Sequence, residues 1–177
     1  VKLRRSALSV VGAAALLAVS ACGGQRDYAL PEDLCGVPVK GALIDPFLPP
    51  GETLRQVESD GYGDGLHYGC TLFVDDVGPL LVRGQWREEG FTVEDAAEER
   101  LVHSPDMVAD GRYAVWRSGA AVVVPCRNEQ RGAALYSIAL RTSGPEEGEV
   151  EEYKGAMVEL LGAYSEAFVA TLPCEGK

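Results

Sequence analysis

The stretch VEEYKGAMVELLGAYSEAFVATL, residues 150–172, decides the fold. Val150, Tyr153, Met157, Leu160, Leu161, Tyr164, Phe168 and Leu172 recur in it at three- and four-residue spacing. That is one apolar face of a helix of about six turns. A helix with one apolar stripe needs a partner layer. The residues before it supply strands, so the helix is expected to lie across a sheet.

Working back toward the N-terminus, Ala133 to Thr142 alternates. Tyr136, Ile138, Leu140 and Thr142 form a core-like face, while Leu135, Ser137, Ala139 and Arg141 form a mixed one. Tyr113 to Arg117 and Ala120 to Cys126 read as a hairpin across Ser118-Gly119. Thr92 is placed to cap a helix from Val93 to His103, with Asp95 in its positive first turn and Ser104-Pro105 closing it. Cys70 to Asp75 and Leu80 to Trp86 read as strands joined through Val77-Gly78-Pro79. Asp60 to Gly69 is a glycine-rich loop, and Thr53 to Glu58 suits an edge strand. Val39 to Phe47 predicts a short helix stopped by Pro49-Pro50-Gly51. The order helix, strands, helix, strands, long helix predicts an α+β fold, an antiparallel sheet covered by helices.

The first residues have a different character. Lys2, Arg4 and Arg5 precede an apolar run from Ala7 to Ala18, and Val19-Ser20-Ala21 brings small residues up to Cys22. A positive start, a short apolar core and small residues before a cleavage point form a secretory signal. The run is too short for a comfortable permanent span, which needs about 20 apolar residues. At Val19-Ser20-Ala21-Cys22 the sequence resembles the lipobox of bacterial lipoproteins. The resemblance implies a diacylglycerol thioether on Cys22, palmitate-type acylation and cleavage before it. Residues 1–21 are then a signal peptide, 22–34 a lipidated tether with a reach of roughly 40 Å to Cys35, and 35–177 a single globular domain.

Cysteine parity points the same way. The chain has five cysteines: Cys22, Cys35, Cys70, Cys126 and Cys174. Lipidation removes Cys22 and leaves four, enough for two disulfides in an oxidising compartment. Four cysteines allow three pairings, so connectivity stays open. The favoured pairing is Cys35–Cys70 with Cys126–Cys174. The first would tie the N-terminal segment to the first core strand, and the second would pin the end of the long helix to the hairpin.

The lipobox, Leu34-Cys35-Gly36, Gly69-Cys70-Thr71, the strand end from Val122 to Cys126, and Leu172-Pro173-Cys174 after a helix together resemble secreted actinobacterial lipoproteins of unknown function. The resemblance spans most of the chain and implies a helix-covered sheet of the kind found in small ligand- or partner-binding envelope proteins. No activity comes with it.

Charge narrows the partners. The chain carries 16 basic and 27 acidic residues, net −11. The leader takes three basic residues and no acidic one, so residues 22–177 carry 13 against 27, net −14. Such a surface repels nucleic acid and anionic headgroups, so membrane attachment rests on the acyl chains.

Chemistry-bearing constellations are sparse. The two histidines, His67 and His103, have no ligand-like spacing, and no Cys-x-x-Cys pair occurs, so no metal or cofactor is expected. Asp60-Gly-Tyr-Gly-Asp64-Gly65 opens like a calcium loop, but Tyr62 stands at a ligand position and Thr71 at the twelfth. No Gly-x-Ser-x-Gly occurs. The pairs Asp75-Asp76, Glu88-Glu89, Glu94-Asp95 and Glu98-Glu99 are adjacent in sequence, so their side chains diverge and make no catalytic dyad. No catalytic residue is therefore assigned. Tyr62, Tyr68, Trp86 and Trp116 are candidates to line a binding cleft. The sequence predicts a non-enzymatic binding or accessory protein, lipid-anchored on the extracytoplasmic face of the cell membrane, with an envelope protein or small ligand as target. The alternatives are an envelope hydrolase and a lipid carrier.

Overall fold

In the computed structural model, which describes residues 25–60, 65–146 and 148–176, the mixed α+β architecture is realised as one large sheet and a long helix. The first elements among the described residues are a two-stranded ribbon, β1 (Asp33–Leu34) and β2 (Val37–Pro38), then a one-turn helix α1 (Gly41–Ile44). The strands β3 (Leu54–Ser59), β4 (His67–Val74) and β5 (Val77–Arg87) come after it, then helix α2 (Val93–Glu98). Next come β6 (Asp106–Val108), β7 (Tyr113–Trp116), β8 (Gly119–Asn128) and β9 (Ala133–Thr142), and last α3 (Val150–Thr171). The leader and Cys22 lie outside the described residues.

The sheet runs β3-β4-β5-β9-β8-β7-β6 and is antiparallel throughout. It is two meanders joined side by side, since β9 returns from the second to pair with β5 of the first. β3 is an edge strand, as its pattern suggests.

The apolar stripe of α3 is buried on one face of this sheet. Met157, Leu160 and Leu161 are fully inaccessible, and Tyr164 and Phe168 nearly so. They meet Leu72, Leu80, Val82, Val122, Tyr136, Ile138 and Leu140 in one core, which the N-terminal segment completes with Leu34, Ile44 and Phe47. The Phe168 ring stacks on Tyr164 and packs against Tyr68 and Tyr136. Burial holds the Tyr136 and Tyr164 phenols above their ordinary range.

Both disulfides take the favoured pairing, Cys35–Cys70 and Cys126–Cys174, across 35 and 48 residues of sequence. Each is worth about 3–4 kcal/mol by chain-entropy arithmetic. The chain is already anchored before Cys35. Arg26 forms a parallel bridge with Gly51, pairs with Asp45 and donates to the Leu48 carbonyl, and Tyr28 donates to the Pro49 carbonyl.

Several local expectations are corrected. The β4–β5 hairpin turns at Asp75-Asp76, not at Val77-Gly78-Pro79. Both aspartates hold positive φ (46° and 69°), as a two-residue primed turn requires and Asp tolerates. Pro79 lies inside β5, beside a register irregularity that excuses its missing donor. The β7–β8 hairpin turns at Arg117-Ser118, because Trp116 pairs with Gly119. The helix after Thr92 ends at Glu98 instead of His103. The Val102 amide reaches back to the Ala97 carbonyl and the Leu101 amide to that of Glu98, a Schellman closure that stops the helix early. The released chain forms β6, which no periodicity announced. Near the N-terminus the expected helix shrinks to α1 and a 3-10 turn at Asp45–Phe47, where Pro46 lies in the first turn.

Candidate functional site

Among the described residues, the sheet face opposite α3 is only half covered. α2 lies over the β7-β8-β9 side, and among the described residues no helix covers the side built from β3, β4 and β5. The strand register sets what this face presents. Leu81 pairs with Arg141, Arg83 with Ala139, and Gln85 with Ser137. In this frame Arg83 and Arg141 are diagonal neighbours on one face, a separation of about 7–8 Å that long side chains bridge. Thr71 of β4 lies beside Leu81 in the same row.

α2 forms the wall. A capping box starts it: the Asp95 amide donates to Thr92 Oγ1, and the Thr92 amide donates back to the Asp95 carboxylate. Those bonds hold the Asp95 carboxyl below the usual carboxylate range. The buried Ala96 and Ala97 meet Ala114, Ala121 and Ala139, and these small side chains let the helix lie close to the strands. The Schellman closure at its end requires a left-handed residue, and Leu101 takes that place with φ 61°. This puts Arg100 against the sheet and leaves Leu101 84 % exposed at the rim.

Two adjoining hollows of about 320 and 510 Å³ result, sharing Leu81, Arg83, Glu99 and Arg100. The first continues over Ala139 and Arg141 to Trp116 and Val102, and the second over Thr71, Gln85 and Ser59. Trp116 reaches the groove because Gly119 has no side chain: a Cβ there would sit 2.5 Å from the indole ring.

The electrostatics of the groove are unusual in this acidic chain. Glu99 is committed to Arg87 through a two-pronged ion pair, and the Arg87 guanidinium also donates to Ser137 Oγ at 2.9 Å. Among the described residues, no carboxylate lies within ion-pair distance of Arg83, Arg100 or Arg141. Arg100 is held below its ordinary value by burial first, and then by the nearby charges of Arg83, Arg87 and Arg141 against the opposing effect of Glu99.

The four predicted aromatic residues are not brought together. Trp86 is buried on the α3 face, edge-on to Tyr136, and Tyr68 packs there on Phe168. Trp116 lies on the opposite face, in the first hollow, and Tyr68 borders the second hollow although its ring packs on Phe168. Tyr62 lies outside the described residues, as does Asp64 of the calcium-like loop. His67 borders the second hollow, and His103 is exposed away from it. Among the described residues no group of three or more His, Cys, Asp or Glu side chains is placed to hold a metal ion. Sequence reasoning missed Arg83, Arg100 and Arg141. The available signal was the mixed face of β9, where Arg141 interrupts a strand whose other face is core-like, and the same break at Arg83 in β5. A search for family models, curated proteins and solved structures similar to this chain returned no match.

Proposed function

We propose that this chain is a membrane-tethered, non-enzymatic binding or accessory protein of the cell envelope, and that it meets its ligand on the open sheet face opposite α3. The observation that carries this reading is the groove between α2 and β5-β9. It is concave and partly apolar, and among the described residues three guanidiniums in it have no ion-pair partner; these bind and orient at neutral pH but do not exchange protons. Among the described residues the one carboxylate lining it, Glu99, is neutralised by Arg87, so it is not free to act with His67 at the border. That favours binding over the hydrolase alternative. The apolar part of the groove is short and open, which favours it over a lipid carrier that encloses acyl chains.

The tether supports close approach to the membrane. If Cys22 carries the lipid, the chain is pinned to the domain from Arg26 onward. Only a few residues then separate the acyl group from the folded body, a reach of roughly 10–15 Å.

Crosslinking in intact cells followed by mass spectrometry tests the reading. Crosslinks or retained ligand should map to the open face, around Thr71, Arg83 and Phe73. A partner mapped instead to the solvent side of α3, at Glu152 or Glu166, would reject it. Equal labelling of wild type and Cys22→Ala by a fatty-acid analogue would reject the tether.

A further inference from the structure

We infer that the groove is an anion site for a phosphate monoester with an apolar body, its phosphate held by Arg83, Arg100 and Arg141 and its body lying on Trp116 and Leu81. This rests on reading the open face as the ligand side.

The first argument is charge bookkeeping within the fold. Arg26, Arg87 and Lys154, which like Arg100 are partly buried, each have a carboxylate partner: Asp45, Glu99 and Asp106; Arg100 instead has the exposed Arg83 and Arg141 beside it. In a chain with 27 acidic residues against 16 basic ones, partners are plentiful. Yet Arg83, Arg100 and Arg141 converge with none among the described residues. Gathering like charges and half-burying one of them is unfavourable unless an anion completes the site.

The second argument is valence. Three uncompensated guanidiniums match a dianion better than a monoanion, because a single carboxylate would leave two of them repelling each other. Guanidinium forks also present paired N–H donors that match phosphate oxygens in a bidentate way. At pH 7 a phosphate monoester carries between one and a half and two negative charges, and a monocarboxylate carries about one.

The third argument is shape. The guanidiniums do not fill the groove. Beyond Arg141 it continues to the Trp116 ring, held over Gly119 where no Cβ intervenes. Inorganic phosphate would leave that surface wet. An aryl or alkyl group attached to the phosphate covers it, and Leu101, left-handed and exposed at the rim, stands where such a group leaves the groove.

The source of the monoester is either a soluble molecule or the headgroup of a lipid such as phosphatidic acid. The chemistry at the arginines is the same, and the experiment separates the two. Calorimetric titration of the full-length protein in detergent should show saturable binding of phenyl phosphate. Benzoate and inorganic phosphate should each bind at least about tenfold more weakly, and added salt should weaken all three. Arg83→Gln and Arg141→Gln should each lower phenyl phosphate affinity about tenfold or more, with melting temperature unchanged or raised. Trp116→Ala should weaken phenyl phosphate while leaving inorganic phosphate unaffected.

No saturable binding, benzoate as tight as phenyl phosphate, or arginine variants as tight as wild type would each overturn the inference. So would inorganic phosphate binding as tightly as its phenyl ester. If phenyl phosphate binds, Cys22→Ala protein is sedimented with phosphatidylcholine vesicles with and without phosphatidic acid. Arginine-dependent retention by the phosphatidic acid vesicles assigns the lipid source, and its absence assigns a soluble one. If no phosphate probe binds while cellular crosslinks still map to the open face, the anion inference fails and the reading of that face stands.

Discussion

Under α3 the sheet presents Leu72, Leu80, Val82, Tyr136, Ile138 and Leu140, all buried; under α2 it presents Ala114, Ala121 and Ala139, and beyond them Arg83 and Arg141. The same strands supply both faces, because alternate residues point to opposite sides. A 22-residue helix pinned by the Cys126–Cys174 disulfide covers the first face. A six-residue helix held by a capping box covers part of the second. The difference separates two jobs. Large side chains interdigitating under a long helix supply the apolar burial that stabilises the domain. The alanine layer holds α2 close with little burial, so the strands beside it are left open to carry charge.

The largest effect should come from breaking the α3 face. Phe168 packs on three tyrosines, and truncating such a residue typically costs about 3–5 kcal/mol. Loss of a native disulfide from a small secreted domain costs about 2–5 kcal/mol. Total stability is typically about 5–15 kcal/mol. Phe168→Ala and Cys174→Ala should each lower the melting temperature by many degrees, while exposed Glu152→Ala should leave it nearly unchanged. A Phe168→Ala protein that melts like wild type would mean that α3 is a detachable arm and not core.

A smaller loss is expected from overfilling the alanine layer. Ala97 is fully inaccessible against the strands. Ala97→Leu should cost about 1–3 kcal/mol by forcing α2 outward. Because α2 walls the groove, this variant should also change ligand binding, which Phe168→Val, a milder core change, should not. Equal melting of Ala97→Leu and wild type in thermal denaturation would show that the α2 layer is loosely packed.

The two faces should also fail at opposite ends of the pH scale. Asp95 has a lowered folded pKa through its bonds from Thr92, so its contribution is complete above the unfolded value and lost as pH falls through the folded one. The Tyr136 and Tyr164 phenols have raised folded values through burial, so their contribution is complete below the unfolded value of about 10 and lost as pH rises above it. Amide hydrogen exchange should show α2 loosening first in acid and α3 first in alkali. Asp95→Asn, which keeps an acceptor but cannot titrate, should remove the acid sensitivity of α2. An α2 with the same protection at pH 7 and pH 3, after correction for the intrinsic pH dependence of amide exchange, would contradict this.

The smallest effect sharpens the contrast most. Leu101 holds a left-handed conformation that costs an L-residue about 1–2 kcal/mol, and its exposed side chain gains little by packing. Leu101→Gly should therefore raise the melting temperature slightly. If the rim contacts a ligand, the same variant should bind phenyl phosphate less tightly. A fall in melting temperature would show that the Leu101 side chain packs in solution.

Much of the α3 face was legible in advance because it rests on periodicity. The stripe from Tyr153 to Phe168 and the alternation from Tyr136 to Thr142 each specify a buried side through local spacing alone, and together they determined an α+β fold with a long C-terminal helix on an antiparallel sheet. Cysteine parity likewise led to two bonds, although their pairing was one of three options. The second face was not legible, because Arg83, Arg100 and Arg141 are far apart in sequence and each reads singly as a solvated surface residue. They become a site only when β9 crosses back to pair with β5, and when α2 ends one turn earlier than its sequence pattern suggests. Both events are tertiary. Strand neighbours are chosen by how two meanders join, and the helix stop by hydrogen bonds closed around a left-handed leucine that no propensity favours. The aromatic candidates failed for the same reason: Trp86 and Trp116 look alike in the sequence, and only strand register puts one in the core and the other over the groove. Local pattern thus determined what is buried, whereas long-range pairing decided which exposed residues meet.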